Sequence, residues 1–199
     1  MSTIDVVLAS RNSHKAMEIT RILNLDGLNL LPVGPDVPDV PETGATFIEN
    51  ALIKARSVCE ATGQPALADD SGIAIDALAG MPGIFSARWA GVHGDDAANL
   101  NLVLAQLADV PDERRGAQFV CAIALVTPDG RETTVEGIVH GRVIREPRGA
   151  YGFGYDPIFV PEGYDRTTAE LSPSEKDAIS HRARALALIS PAISDLMAH

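Results

Sequence analysis

Residues 3–9, TIDVVLA, make a near-continuous apolar run rich in Val and Leu. A half-exposed strand would alternate apolar with polar, so this is the pattern of a strand covered on both faces. Residues 15–25 follow with helical spacing through Ala16, Ile19, Ile22 and Leu23, and the chain therefore opens as strand, then helix. A proline-rich connector over 33–41 is extended, because proline fixes its own φ and restrains the residue before it. Thr46-Phe47-Ile48-Glu49 has the spacing of a capping box, which predicts a helix running to about Thr62 and stopping at Gly63.

Further along, residues 65–69 predict a short strand and 73–78 a second, with Asp69-Asp70-Ser71-Gly72 ending the first. Asp95 or Asp96 can cap a helix reaching Leu107. Residues 118–126 and 132–140 read as strands joined through Pro128-Asp129-Gly130, turn chemistry suited to a hairpin. A glycine-rich loop over 149–154 precedes a short strand at 157–160. Ser172-Pro173-Ser174-Glu175 is a second capping box, with proline at the first helical position, and it opens a helical C-terminal stretch. Helices interleaved with buried strands and one hairpin imply an α/β fold in which a mixed, twisted central sheet is flanked by helices. A single domain over residues 1–199 is the expected organisation.

Composition narrows the function classes. Sixteen basic against 27 acidic residues give a net charge of −11. That argues against a binder of nucleic-acid polymers or of membrane surfaces, since such binding rests on many Lys and Arg contacts. A small anionic ligand held by a few cations or by a metal stays open. No apolar run approaches the roughly 18–20 residues of a membrane span, and MSTIDVVLAS has no basic region followed by an apolar signal core. Cys59 and Cys121 belong to no CxxC pair, the usage of buried reduced thiols in a cytoplasmic protein. Lysine is rare, at Lys15, Lys54 and Lys176 against 13 arginines; either these are places that need a compact ammonium rather than a planar fork, or the distribution is chance.

Five stretches carry residues suited to chemistry. Ser10-Arg11-Asn12-Ser13-His14-Lys15 lies between the first strand and the first helix, where unpaired backbone N–H groups and the positive helix end suit a phosphate. Helix capping by Asn12 or Ser13 is the simpler reading. Glu42 precedes a helix N-terminus, where the dipole favours a carboxylate in any case; Asn50 and Lys54, four apart, share a helix face that is ordinarily the solvated one. In Asp69-Asp70-Ser71-Gly72 the two carboxylates point to opposite faces of a strand, so one of them can serve a hard cation such as Mg²⁺, or the stretch is an acidic turn. Tyr151 to Phe159 holds four of the nine aromatics, and glycines beside aromatics let a flat base stack; a core strand end fits equally. Lys176 and Ser180-His181-Arg182 offer donors, although a structural His with a surface Arg is the commoner outcome. The P-loop, GxGxxG, HExxH and GxSxG patterns are absent.

Taken in order, SRNSHK, ETGATFIENALIKAR, ADDSGIAIDALAGMPGIFSAR, GAYGFGYDPIF and AELSPSEKDAISHRARAL closely resemble the inosine/xanthosine triphosphate pyrophosphatases, from about residue 6 to residue 188. The resemblance implies two lobes with an active-site cleft between them, a homodimer, and Mg²⁺-dependent hydrolysis of non-standard purine nucleoside triphosphates (ITP, dITP, XTP) to monophosphate and pyrophosphate. It implies that Ser10, Arg11, Asn12, Ser13, His14 and Lys15 bind the triphosphate and that Glu42 and Asp70 ligate Mg²⁺. Asp70 would also accept a proton from the attacking water. Ser71, Phe153, Gly154, Tyr155 and Asp156 would contact substrate, with Lys176, His181 and Arg182 reading the purine. The loop departs from the family's commoner double glycine before FGYDP, and Trp89 stands where a tyrosine is usual. A pyrophosphatase of the Maf type with another base preference, or a non-catalytic nucleotide sensor, are the alternatives.

Overall fold

A computed structural model of the chain describes residues 3–197. Six strands, β1 (Ile4–Leu8), β2 (Leu28–Pro32), β3 (Ala66–Ile75), β4 (Gly116–Val126), β5 (Glu132–Val143) and β6 (Phe159–Pro161), form one sheet in the order β2-β1-β3-β4-β5-β6. β2 and β3 run parallel to β1, and β6 runs antiparallel to β5. The sheet is mixed, as the sequence implies. The helices are α1 (Ser13–Ile22), α2 (Phe47–Thr62), α3 (Asp96–Gln106), α4 (Pro173–Ile179) and α5 (His181–Met197), with 3-10 segments including Gly83–Arg88 and Asp156–Ile158. Among the described residues no helix is long and apolar enough to cross a membrane.

Helix ends follow the local chemistry. Asn12 caps α1 by accepting the Lys15 N–H at 3.1 Å, so the helix starts before the expected Lys15. Thr46 caps α2 by accepting the Glu49 N–H at 3.1 Å, and Gly63, at φ +66°, ends it with an N–H bond to the Cys59 carbonyl. The expected reciprocal box is incomplete there, since the Glu49 carboxylate takes the Ala45 N–H at 2.6 Å. At α4 both halves form: Ser172 Oγ accepts the Glu175 N–H and Glu175 accepts the Ser172 N–H at 2.8 Å. Extended backbone at Ser180 (ψ 156°) separates α4 from α5.

The chain falls into two compact units, one of residues 3–70, 121–137 and 182–197, the other of 71–120 and 138–181. In the first, the two-residue period of the strands sorts side chains by face. Val6, Leu8, Leu67, Cys121, Ile123 and Leu125 pack with Ile19 of α1 and with Leu186 and Ile189 of α5. Val7, Ala66, Ala68, Ala122 and Ala124 turn the other way, onto Ala51, Ala55 and Val58 of α2. Alanine on both sides of that contact lets helix and sheet approach closely. In the second unit Ile73, Ile75, Leu100, Val103, Leu107, Phe119, Ile158 and Phe159 form the core, with the Phe119 and Phe159 rings edge-on at 4.5 Å.

The strands differ from expectation in three places. β3 is one continuous strand through Asp69-Asp70-Ser71-Gly72, not two short ones broken by a polar turn. β2 has no counterpart in the sequence reading; LNLLP is short, ends in proline and is only half-buried. β6 starts at Phe159, because the residues from Asp156 to Ile158 make a 3-10 turn first.

Candidate active site

Asp69 and Asp70 inherit their faces from the alternation along β3. Asp69 follows Leu67 towards α1 and α5; Asp70 follows Ala66 and Ala68 towards α2. Both are buried, and each meets a different set of cations.

On the α2 face, Lys54 Nζ lies 2.7 Å from Glu42 Oε1 and 3.1 Å from Asp70 Oδ1. One helical turn earlier, the fully buried Asn50 donates Nδ2 to Asp70 Oδ2 at 3.3 Å and accepts the Gly44 N–H at 2.8 Å. A Cβ on Gly44 would stand 2.6 Å from Glu49 Cβ and 2.8 Å from Asn50 Oδ1, so only glycine lets the segment after Glu42 close onto the helix. The Asn50/Lys54 pair is thus turned inward rather than solvated. Its i, i+4 spacing was the available signal, and the sequence reading gave Asn50 no part in the site. Burial would push the Lys54 ammonium down, but Asp70, Asp69 and Glu42 outweigh it and hold it above the ordinary lysine value. Burial lifts the Asp70 carboxyl above the usual aspartate value; Lys54 and Lys15 oppose that in part, and the charge of Glu42 adds to it.

On the other face, Asp69 Oδ2 meets Arg182 Nη2 at 3.1 Å and Lys15 Nζ at 3.4 Å, while Arg182 Nη1 donates to Glu18. Burial opposes the Asp69 charge, yet Lys15, Arg182 and Lys54 together hold its carboxyl well below the usual range. Arg182 is 1% exposed, whereas the sequence reading made a surface Arg its commoner outcome; two carboxylates are what permit its burial. Lys15 projects from the first turn of α1 beside the exposed Ser13 and His14. Ser10 and Asn12 lie in the β1–α1 connection, and the Arg11 guanidinium reaches Asp39 and the Val37 carbonyl, tying that connection to the proline-rich segment.

The second unit holds Ser71, Phe153, Gly154, Tyr155, Asp156, Lys176 and His181. Asp156 is buried and gathers its neighbours: Oδ2 accepts the Phe153 N–H at 2.9 Å and Lys176 Nζ at 2.5 Å, and Oδ1 accepts Thr168 Oγ1 at 2.8 Å. Lys176 Nζ also sits 5.0 Å from the Phe153 ring centroid, within cation–π range. The Tyr155 hydroxyl donates to the Ser86 carbonyl at 2.8 Å. His181 stacks on Phe119 at 4.9 Å and 13°. Gly72 serves packing, since a Cβ there would stand 2.3 Å from Ser86 Oγ and 2.5 Å from the Gly83 carbonyl.

The donor chemistry in the first unit fits a hard cation. Glu42 and Asp70 offer carboxylate oxygens around the point where the Lys54 ammonium already sits. Among the described residues no group of three or more His, Cys, Asp or Glu gathers to cage a metal. Two carboxylates that leave the remaining positions to water and phosphate oxygens match the habit of Mg²⁺ rather than of a caged structural ion.

Known proteins similar to this chain match nearly its whole length. A dITP/XTP pyrophosphatase of Mycobacterium tuberculosis is 58% identical over 196 residues, covering 96% of each chain. The crystal structure of a nucleoside-triphosphatase, dITP/XTP pyrophosphatase, from Mycobacterium abscessus is 58% identical, with 94% of this chain and 100% of that one covered and a TM-score of 0.78. A HAM1 protein from Coxiella burnetii shares 46% identity over 97% of this chain and 100% of its own, at a TM-score of 0.88. The pattern of the Ham1 family matches residues 6–192, and the chain belongs to that family.

Proposed function

We propose that the chain hydrolyses non-standard purine nucleoside triphosphates, of the dITP, ITP and XTP type, to the nucleoside monophosphate and pyrophosphate, with Mg²⁺ as its cation. The observation that carries this reading is the Glu42–Lys54–Asp70 arrangement: two carboxylates and one ammonium within 3.1 Å. Two carboxylates repel a triphosphate unless a cation stands between them, and this arrangement is built around a cation. Relatives named dITP/XTP pyrophosphatase support the substrate class.

Glu42 and Asp70 would hold the metal, which would neutralise phosphate charge and make a nearby water more acidic. Asp70, braced by Asn50 and Lys54, orients the attacking water and accepts its proton. Ser10, Arg11, Asn12, Ser13, His14 and Lys15, with the backbone N–H groups that open α1, grip the triphosphate. Ser71 contacts the substrate, Phe153 stacks on the base, and Gly154, Tyr155 and Asp156 shape its pocket. Lys176, His181 and Arg182 supply donors for a 6-keto oxygen, with the Arg182 plane fixed by Glu18 and Asp69. Adenine presents the reverse hydrogen-bond pattern and leaves such donors mispaired.

The test is a panel of dITP, ITP, XTP, dGTP and dATP, each with Mg²⁺ and with EDTA, read by release of pyrophosphate. Turnover of the first three with Mg²⁺, and little of dATP, is the expected result. Equal turnover of dATP would remove the base-selectivity argument.

A further inference from the structure

The loop from Gly152 to Asp156 turns through two left-handed positions, Gly152 at φ +75° and Gly154 at φ +60°. A loop of that kind has no ladder to hold it, so its backbone polar groups need partners from elsewhere. Three are visible. Phe153 gives its N–H to Asp156, within the loop itself, and Tyr155 gives its hydroxyl to the Ser86 carbonyl. Gly154 gives its N–H to Asp96 Oδ2 at 2.8 Å, across 58 residues of chain.

Asp96 is the first residue of α3, and that helix does not need its side chain as a cap. Asp95 takes the capping position, accepting the Ala98 N–H at 3.0 Å. The Asp96 carboxylate is directed at the loop instead, and a bond from an N–H to an ionised acceptor is stronger than a neutral one. Its charge is also felt next door: burial first, and then Asp96, raise the Tyr155 phenol above its ordinary value. α3 is anchored in turn, since Asn99 Oδ1 accepts the Ala90 N–H at 2.7 Å and Leu100 and Val103 enter the core. A carboxylate on a packed helix therefore fixes the residue between Phe153 and Tyr155.

We propose that Asp96 is a positioning residue for base selection: by holding Gly154 it sets the face that Phe153 presents to the purine. This rests on the proposed function, in which Phe153 stacks on the base. Asp96 touches no substrate and acts through the loop. Loss of its carboxylate frees the Gly154 turn, so the base is held less tightly and less selectively, while the Glu42–Asp70 chemistry is unchanged.

The test compares Asp96→Ala and Asp96→Asn with wild type in steady-state kinetics on dITP and dATP, with hydrogen exchange at the Gly154 amide followed in parallel. Asp96→Ala is expected to raise KM for dITP roughly tenfold, the loss of one charge-assisted hydrogen bond, with kcat within about twofold. It also lowers the preference for dITP over dATP and speeds exchange at Gly154. Asp96→Asn keeps an acceptor oxygen and restores most of both. If alanine weakens α3, Asp96→Ser gives the same reading, since serine is tolerated in a first helical turn but does not reach Gly154. An active wild type with unchanged KM and selectivity in Asp96→Ala overturns the inference alone, as does unchanged exchange at Gly154. A wild type that turns over no triphosphate overturns the proposed function and the inference with it.

Discussion

Asp69 and Asp70 are consecutive on β3, yet Asp69 Oδ2 lies 3.1 Å from Arg182 Nη2 while Asp70 Oδ1 lies 3.1 Å from Lys54 Nζ. One step along a strand reverses the face, and here it also changes the company: a guanidinium shared with Glu18 on one side, an ammonium shared with Glu42 on the other. The first carboxyl is held well below the usual range and the second above it. Neighbouring acids driven apart in this way take different duties.

Asp69→Asn removes one of the two carboxylates that face the buried Arg182 and leaves Glu18 to pair it alone. Breaking a buried ion pair outright costs about 3–5 kcal/mol, and the pair kept with Glu18 makes that the upper end. Urea unfolding is expected to show a loss of up to that size. Asp70→Asn is expected to reduce turnover of dITP by a hundredfold or more, the scale of a lost proton acceptor, while costing much less stability than Asp69→Asn. Equal losses of stability in the two variants would contradict the division of duties.

Gly72→Ala places a Cβ 2.5 Å from the Gly83 carbonyl, and backbone cannot swing aside as a side chain can. Overpacking of this sort costs about 1–3 kcal/mol, so thermal unfolding is expected several degrees below wild type. Gly34→Ala is the control, because a Cβ there meets nothing within 4 Å. A Gly72→Ala protein as stable as the control would show that the strand and the 83–88 segment can separate without cost.

Cys121 is fully buried, and burial pushes its thiol up to about 12, from an ordinary cysteine value of 9.0. The native thiol stays protonated where an unfolded cysteine ionises, so its contribution to stability is intact below pH 9 and is lost as pH rises from 9 towards 12. Cys121→Ala is expected to flatten the alkaline fall in the unfolding midpoint. Ellman's reagent at pH 8 should leave Cys121 unlabelled in the native protein and label it in urea. Rapid native labelling would contradict the placement.

What the sequence made legible was local. Thr46 and Gly63 bound α2, Ser172 and Glu175 open α4, and Pro128-Asp129-Gly130 turns β4 into β5, each from residues only a few positions apart. β3 was misread as two strands because Asp-Asp-Ser-Gly resembles a turn when its partners are out of view. Those partners, Arg182, Lys15, Lys54 and Asn50, lie as far as 113 residues away and satisfy the carboxylates within the sheet. The site shows the same limit: the opposite directions of Asp69 and Asp70 follow from strand period alone, whereas the inward turn of Asn50 and Lys54 depends on which side of the sheet α2 covers. The reach of Asp96 to Gly154 had no local signal at all.

The products report most directly on which bond is broken and whether Asp70 takes part. Wild type and Asp70→Asn are incubated with dITP and Mg²⁺ in ¹⁸O-water, and the products are separated and weighed. Wild type is expected to give dIMP carrying the label and unlabelled pyrophosphate, and Asp70→Asn neither product above background. Inorganic phosphate with dIDP, or undiminished turnover by Asp70→Asn, would contradict that expectation.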